Sequence, residues 1–310
     1  MNSMPQPLRS FDELLARARN AGVRRIAVAA AAESAVIAAI AHAMKENLVQ
    51  PILIGDIDLI RTLAEEQQVD LTGMELVHVA HPIAAAAAAV KLVHDGGAEL
   101  VMKGLVKTKD FLRTLLKHEF GLRRGRPLSQ VAVFEAPERD RLVLLTDSGI
   151  NIHPRFSRKI AIVKNALQLA YALGMDEPRV AVIAAVETVE LPTMPASLDA
   201  EMLRRLAIAG KLGRCIVDGP LGMDNALDPQ AAETKGLTGP VAGHADIIVV
   251  PEIETGNAVY KTIRYIAKRE LASIVIGAKS PAVVTSRSDS ANTKLYSIAL
   301  GVLLNRLVTQ

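Results

Sequence analysis

The stretch that decides the fold is residues 26–48, IAVAAAAESAVIAAIAHAMKENL. Its first part, residues 26–32, is an unbroken apolar run, which predicts a buried strand. From residue 33 to residue 48 the apolar positions recur with helical spacing, and most of them are alanine. The stretch therefore predicts a strand followed at once by a helix that packs on it through small side chains, which is the unit of a parallel α/β sheet.

The same alternation of short apolar strands and amphipathic helices continues along the chain and predicts an α/β fold with mainly parallel sheets. One segment interrupts it. Residues 131–135 and 142–146 predict a β-hairpin around a polar turn at 138–140. Taking this hairpin as the hinge, and the last helix as returning to the first half, we predict two α/β domains. The first comprises residues 1–136 plus 278–310, and the second comprises residues 137–277.

Composition excludes several classes of protein. Of 310 residues, 50% are hydrophobic and 22% are charged, which is typical of a globular protein and not of a disordered one. The most apolar run, residues 26–44, is interrupted by Glu33, Ser34 and His42, so we expect no membrane span and no membrane partner. No secretory signal is visible at the N-terminus, and the single Cys215 excludes an intramolecular disulfide. We therefore expect a cytoplasmic protein.

Charge and aromatic content argue against a nucleic-acid partner. The formal net charge is only +3, and the chain has four Tyr, five Phe and no Trp. Nucleic-acid binding typically requires a concentrated basic stripe or aromatic stacking platforms. A small ligand must therefore be bound mainly by backbone amides, short polar side chains and cations.

Small, flexible or charged residues follow five of the predicted strands, at the edge of the sheet where α/β proteins bind ligands. These segments are residues 103–109, 147–153, 218–224, 251–257 and 286–290. Each supports two interpretations. Lys103 binds phosphate or reaches solvent, and Gly256, opening a predicted helix over 257–269, admits an anion or forms a tight turn. Arg287 offers its planar fork to phosphate, or is a surface arginine beside an ordinary helix cap.

Other catalytic and metal motifs are weak. The sequence has neither a Walker A pattern nor a three-glycine dinucleotide fingerprint. Its seven His show no compact metal spacing, and we expect no metal. Three aspartates at 218, 224 and 228 suggest a hard-cation site only weakly, because loop carboxylates are common. Cys215 enters a buried strand and is better explained by packing, so an acyl-enzyme has little support.

Five segments, in order, carry a family resemblance. The chain resembles the phosphate acetyl/butyryl transferases, and more closely the butyryl branch. The matching segments are V-M-K-G-L-V-K-T at 101–108, D-F-L-R at 110–113, T-D-S-G-I-N at 146–151, P-E-I-E-T-G-N-A-V-Y-K at 251–261 and T-S-R-S-D-S-A-N-T-K-L at 285–295.

This resemblance implies a reversible, direct transfer of a short-chain acyl group between coenzyme A and inorganic phosphate. It also implies two α/β domains around a cleft, related to the isocitrate and isopropylmalate dehydrogenases, in a homodimer. Coenzyme A enters as a substrate, and no tightly bound cofactor is expected. The length of the acyl group and the physiological direction stay open.

The resemblance also implies roles for individual residues. Ser286 and Arg287 contact the thioester carbonyl and the phosphate, and Arg113 binds an anion. Acetyl-specific relatives place a catalytic Asp six residues after the Arg, but this chain has Thr293 there, so Asp289 is the substitute candidate. Further candidates for substrate or phosphate binding are Lys103, Gly104, Thr108, Asn151, Gly256 and Asn257.

Two other functions remain possible from the residues alone. A metal- and NAD(P)-dependent decarboxylating dehydrogenase of the related fold would use the aspartates at 218, 224 and 228. A non-catalytic regulator that binds acyl-CoA would bind ligand without turnover.

Overall fold

The structure is a computed structural model that describes residues 6–120, 122–136 and 141–308. The predicted turn at 138–140 lies outside these residues. The helices are α1 Phe11–Asn20, α2 Ser34–Lys45, α3 Ile57–Glu66, α4 Pro82–His94, α5 Thr108–Leu115, α6 Phe156–Ala172, α7 Pro195–Ile208, α8 Met223–Leu227, α9 Pro229–Thr234, α10 Ile253–Lys261 and α11 Ala291–Val308. The strands are β1 Arg24–Ala29, β2 Val49–Gly55, β3 Glu75–His78, β4 Leu100–Lys103, β5 Ser129–Ala136, β6 Arg141–Thr146, β7 Arg179–Ile183, β8 Ile216–Leu221, β9 Ile247–Val249, β10 Ala272–Ile276 and β11 Ala282–Val283.

The predicted strand and helix of residues 26–48 are confirmed. Residues 26–29 of β1 are fully buried, because β1 lies between β2 and β4 and pairs in parallel with both. Helix α2 buries Val36, Ile37 and Ile40 together with two alanines. The alanines keep the helix thin on its inner face, so its backbone can approach the sheet closely.

The chain forms two compact units, which we call the terminal unit and the middle unit. The terminal unit comprises Phe11–Arg126 and Ala272–Gln310, and the middle unit comprises Met1–Ser10 and Pro127–Leu271. The domain boundaries at 136/137 and 277/278 stay a prediction; the two compact units change over at 10/11, 126/127 and 271/272. The hairpin belongs to one unit. β5 and β6 pair antiparallel from Val131↔Thr146 to Ala136↔Arg141, so both strands stay in the middle unit.

In the terminal unit the strands follow the order β3-β2-β1-β4-β11-β10. All neighbouring pairs are parallel except β10 and β11, which are antiparallel. Parallel strands end at the same edge of a sheet. The segments that follow β1, β4 and β11 therefore lie side by side at one edge, where ligands of such sheets bind.

In the middle unit the strand order is β5-β6-β9-β7-β8. β5 and β6 are antiparallel, and the pairs from β6 to β8 are parallel. Their inner face packs a core that includes Leu145, Ile248 and Tyr260. The mainly parallel α/β fold predicted from the sequence is thus confirmed. Within the described residues, no helix is both long and apolar enough to cross a membrane.

Candidate active site

The carboxyl ends of β1 and β4 in the terminal unit meet at Gly104. The amide of Gly104 donates to the carbonyl of Ala29 at 2.8 Å, and the amide of Leu105 donates to the carbonyl of Ala30 at 2.7 Å. A Cβ atom on residue 104 would lie 2.3 Å from the Ala30 oxygen. The sequence needs glycine here because two strand ends approach each other closely. The Gly104 amide is thus used within the protein, and its predicted role in ligand binding stays a prediction.

Lys103 is the last residue of β4, and it is buried. Its Nζ donates to the carbonyl of Gly104 at 3.0 Å and to that of Val106 at 3.4 Å. Burial lowers the pKa of this ammonium. The charge of Glu33 opposes that shift and the charge of Arg287 adds to it. Lys103 is therefore electrostatically coupled to the segments that follow β1 and β11.

We call the five ionisable side chains at this edge the strand-end cluster: Glu33, Lys103, Arg287, Asp289 and Lys294. All four of the others contribute electrostatically to the pKa of Lys103. With three cations and two carboxylates, the cluster carries one net positive charge when all five are ionised. A partly buried excess of positive charge favours binding of an anion.

A tight turn follows β11 and presents Arg287. The carboxylate of Asp289 accepts a hydrogen bond from the amide of Ser286 at 2.6 Å, and the Asp289 amide donates to the Ser286 carbonyl at 3.1 Å. Asp289 is 3% exposed, whereas Arg287 is exposed. The hydroxyls of Ser286 and Ser288 lie 3.0 Å apart. The turn therefore buries its carboxylate and points its guanidinium outward.

Two further predicted residues lie on α5 of the same unit. Thr108 begins this helix and is exposed. Arg113 lies on the next turn, with its side chain 67% exposed and its Nη1 3.8 Å from an oxygen of Asp110. Both side chains are accessible to a ligand, which is compatible with their predicted roles.

In the middle unit, the loop after β6 is organised by Asp147. This carboxylate is buried and accepts hydrogen bonds from the amides of Gly149 and Ile150, each at 3.0 Å, and of Gln130 at 3.3 Å. Its second oxygen accepts from the amide of Asn151 at 3.2 Å. Burial raises the pKa of Asp147, and these hydrogen bonds act against that shift.

Asn151, which was predicted to bind substrate, belongs to this same network. It is 4% exposed, and its side-chain nitrogen donates to the carbonyl of Leu128 at 2.8 Å and also to Asp147. Its side-chain oxygen accepts from Arg158 at 3.0 Å. The side chain is thus fully occupied by contacts that fix the loop, so its role toward substrate stays a prediction.

Helix α10 begins at Ile253, earlier than the predicted start at residue 257, because Glu252 caps it. The Glu252 carboxylate accepts from the amides of Glu254 at 2.9 Å and Thr255 at 3.1 Å. Burial would raise the pKa of Glu252, but hydrogen bonds from Glu254 and Thr255 outweigh burial and lower the pKa to about 2. The amides of Ile253 and Gly256 donate to carbonyls of Ile152 and Glu252. The backbone amides in the first turn of α10 therefore donate their hydrogen bonds within the protein.

Gly256 has a packing role, and Asn257 does not share it. A Cβ on residue 256 would lie 2.2 Å from the carbonyl oxygen of Asp147, which joins α10 to the Asp147 loop. The amide of Gly256 donates within the protein, and the anion approach predicted at this residue stays a prediction. Asn257 is exposed.

Among the residues that the structure describes, one group of side chains could hold a metal ion. Ligand atoms of His153, Glu252 and Glu254 all lie within 4.8 Å of one another. Glu252 is already committed to capping α10, so an ion would compete with two of its hydrogen bonds. We assign no step to a metal.

Comparison with known proteins identifies the family. A family model described as "Phosphate acetyl/butaryl transferase" matches residues 78–302, which is more than half of the chain. A phosphate butyryltransferase of Clostridium acetobutylicum is 44% identical over 297 residues, covering 96% of this chain and 98% of that protein. This chain belongs to the phosphate acetyl/butyryl transferase family.

Two other members of the phosphate acetyl/butyryl transferase family extend the match. A phosphate acetyltransferase of Thermotoga maritima is 37% identical over 293 residues, covering 94% of this chain and 99% of that protein. The crystal structure of a branched-chain phosphotransacylase from Enterococcus faecalis V583 matches with a TM-score of 0.79 and 32% identity, covering 91% of this chain and 98% of that one. Sequence and fold therefore agree over nearly the whole length.

In this member of the family, sequence reasoning missed Lys294 and Glu33. Lys294 is 1% exposed and lies on the same face of α11 as the buried Ile298. Helical spacing from the buried positions could therefore have indicated its burial. Glu33 interrupts an apolar run directly after β1, and the residues that follow this strand were not considered as site residues. Asp147 and Glu252 were noted as strand-end residues, but their capping roles depend on backbone amides that a sequence does not show.

Proposed function

We propose that this chain catalyses the reversible transfer of a short-chain acyl group between coenzyme A and inorganic phosphate. Membership of the phosphate acetyl/butyryl transferase family supports this reaction. The single structural observation that carries it is the turn at 286–289, which presents an exposed Arg287 from a buried cluster with one net positive charge. A phosphate dianion and a developing oxyanion are the species that such a site stabilises.

The chemistry runs without an acyl-enzyme. A phosphate oxygen attacks the thioester carbonyl carbon, and the carbonyl electrons move to the oxygen, which Arg287 and the Ser286 hydroxyl stabilise. The carbonyl then re-forms, the carbon–sulfur bond breaks, and coenzyme A leaves as the thiolate. Binding both reactants in register supplies much of the rate. Burial and the charge of Glu177 raise the pKa of Cys215 to about 11, which argues against that thiol as a nucleophile.

Asp289 has two candidate roles in the site, as a base and as the residue that closes the turn. As a base it would deprotonate the thiol of coenzyme A in the direction of acyl-CoA synthesis. Its carboxylate already accepts the Ser286 amide at 2.6 Å. We propose that its first role is to close the turn that carries Arg287, and its action as a base stays a prediction.

We further propose a preference for butyryl or branched groups over acetyl. The phosphate butyryltransferase of C. acetobutylicum is 44% identical to this chain, and the T. maritima phosphate acetyltransferase is 37% identical. The test is phosphate-dependent release of coenzyme A from acetyl-, propionyl-, butyryl- and branched acyl-CoAs. The highest kcat/KM should belong to a four- or five-carbon acyl group, and no release from any of them would refute the function.

The physiological setting is also a proposal. We propose a cytoplasmic homodimer that uses coenzyme A as a substrate and has no tightly bound cofactor, as the resemblance implies. Light scattering of the purified protein measures the dimer directly. The predicted cleft and the relation to the isocitrate and isopropylmalate dehydrogenases stay predictions.

The three aspartates that the dehydrogenase alternative would use for a metal have other contacts. Asp228 caps α9 by accepting from the amide of Gln230 at 2.7 Å, and Asp224 lies 3.0 Å from Lys235. Asp218 accepts from the amide of Gly219 at 2.9 Å. The three carboxylates thus serve separate local contacts, so no observation favours cation-assisted decarboxylation.

A further inference from the structure

We propose that Lys294 is a positioning residue: its ammonium holds both ends of the turn at 286–289, with Glu33 as counter-charge, so that Arg287 is presented in one geometry. Lys294 contacts no reactant in this proposal and acts through Arg287. The proposal rests on the proposed function for its kinetic test, but its structural part can be measured without turnover.

The geometry of the Lys294 ammonium carries the proposal. Nζ donates to the Ser286 carbonyl at 3.2 Å and to the Asp289 carbonyl at 2.8 Å, which are the first and last residues of the turn. It lies 3.7 Å from an oxygen of Glu33. An ammonium has three N–H donors. Two hydrogen bonds go to these carbonyls, and Glu33 lies at ion-pair distance. Its side chain is 1% exposed, so water does not compete for these contacts.

Lys294 connects the turn at 286–289 to the rest of the terminal unit. The Asp289 carboxylate and the Ser286 carbonyl close the turn on itself. Both of these hydrogen bonds lie within the turn. Lys294 lies in the first turn of α11, and Glu33 follows β1, so the ammonium joins the turn to two elements of the terminal unit. These contacts fix the turn that carries Arg287 relative to α11 and to the segment after β1.

Packing alone does not explain a lysine at this position. Moving an ammonium out of water costs several kcal/mol, and an apolar side chain of similar volume is often as stable. The ion is therefore better explained by what it holds. Glu33, whose side chain is 14% exposed, offsets the charge of Lys294 and also acts on Lys103.

The kinetic test is a double-mutant cycle between Lys294 and Arg287. Lys294→Met should lower kcat for phosphate-dependent release of coenzyme A from butyryl-CoA by about 10- to 100-fold, because a small displacement of a catalytic group has that effect. In the Arg287→Ala background the same change should cost about twofold or less, because the residue it positions is gone. Lys294→Arg keeps the cation and should recover part of the loss.

A matched control separates this effect from a general loss of stability. Lys91 belongs to the same unit and its side chain is 61% exposed, so Lys91→Met should leave kcat unchanged in both backgrounds. An equal loss from Lys294→Met with and without Arg287, or a kcat within twofold of the parent, would overturn the proposal. If Lys294→Met does not fold, Lys294→Gln, which also removes the cation, is put through the same cycle with the same criterion.

Hydrogen exchange of residues 285–290 supplies the readout that does not need turnover. Lys294→Met should speed exchange of the Ser286 and Asp289 amides while residues 295–305 stay protected. Unchanged exchange in the turn would refute the proposed positioning role of Lys294 even if turnover falls. If the unmodified protein releases no coenzyme A but exchange in the turn is faster in the variant, the proposed function is refuted, and the role of Lys294 in holding the turn is supported.

Discussion

The strand-end cluster of the terminal unit and the Asp147 loop of the middle unit, residues 147–151, have similar positions in their sheets but different charge balances. Each lies at the carboxyl ends of buried strands, where charged residues gather. In the cluster, three cations outnumber two carboxylates, and one of the cations, Arg287, is exposed. In the loop, one buried carboxylate takes hydrogen bonds from the amides of Gln130, Gly149, Ile150 and Asn151. A net positive charge that internal ion pairs do not neutralise favours anion binding, whereas a carboxylate whose acceptors are filled by backbone amides has a structural role.

The comparison predicts opposite phenotypes for the central charge of each region. Arg287→Ala should lower kcat by about 100- to 1,000-fold, because one stabilising donor of a developing oxyanion is worth that much. Its midpoint of thermal unfolding should stay near that of the parent, since the side chain is exposed. The measurements are release of coenzyme A and thermal melting. Arg205→Ala, whose side chain is 74% exposed, is the control that should change neither.

Asp147→Ala should do the reverse and destabilise the protein. Removing the carboxylate leaves four amides, partly or fully buried, without this acceptor, which costs roughly 3 kcal/mol or more of unfolding free energy. Urea denaturation measures this loss. Asp176→Ala, at a surface pair with Arg214, should cost about 1 kcal/mol or less. A stability within error of the parent for Asp147→Ala would contradict the structural role.

The two glycines should be equally intolerant, although one belongs to each region. Alanine at 104 or at 256 places a Cβ 2.3 Å or 2.2 Å from a backbone oxygen. Each change should cost roughly 1–3 kcal/mol of unfolding free energy, because backbone must move. Gly301 is the matched control: a Cβ there meets only side-chain atoms at 3.5 Å, and alanine suits the interior of α11. Denaturant melts of the three variants decide whether close backbone approach is the cause.

The smallest effect concerns the cap of α10 in acid. The pKa of Glu252 is lowered from its ordinary value of 4.5 to about 2 in the folded protein. A lowered pKa means that the carboxylate contributes stability above pH 4.5, and that this contribution is lost as pH falls toward 2. Glu252→Gln lacks the titration, so its stability should fall less steeply between pH 4.5 and pH 2. Parallel slopes in acid melts of the two proteins would contradict the assignment.

The sequence predicted the fold further than it predicted the site. The run at 26–48 carried both the strand and the helix, because burial and helical spacing are local properties of side chains. Arg287 was found because it stands in a recognisable segment. Lys294 was missed because its role depends on two backbone carbonyls that only the folded turn brings together. Gly256 was predicted either to admit an anion or to form a tight turn. Its close approach to the Asp147 carbonyl is a long-range contact that no spacing in the sequence shows.

The most direct test of the central claim is phosphorus-31 NMR of the reaction of butyryl-CoA with phosphate, followed together with thiol release. We predict one butyryl phosphate formed for each coenzyme A released, and a proportional fall of both in Arg287→Ala. Release of coenzyme A without butyryl phosphate would show hydrolysis in place of transfer and would contradict the account.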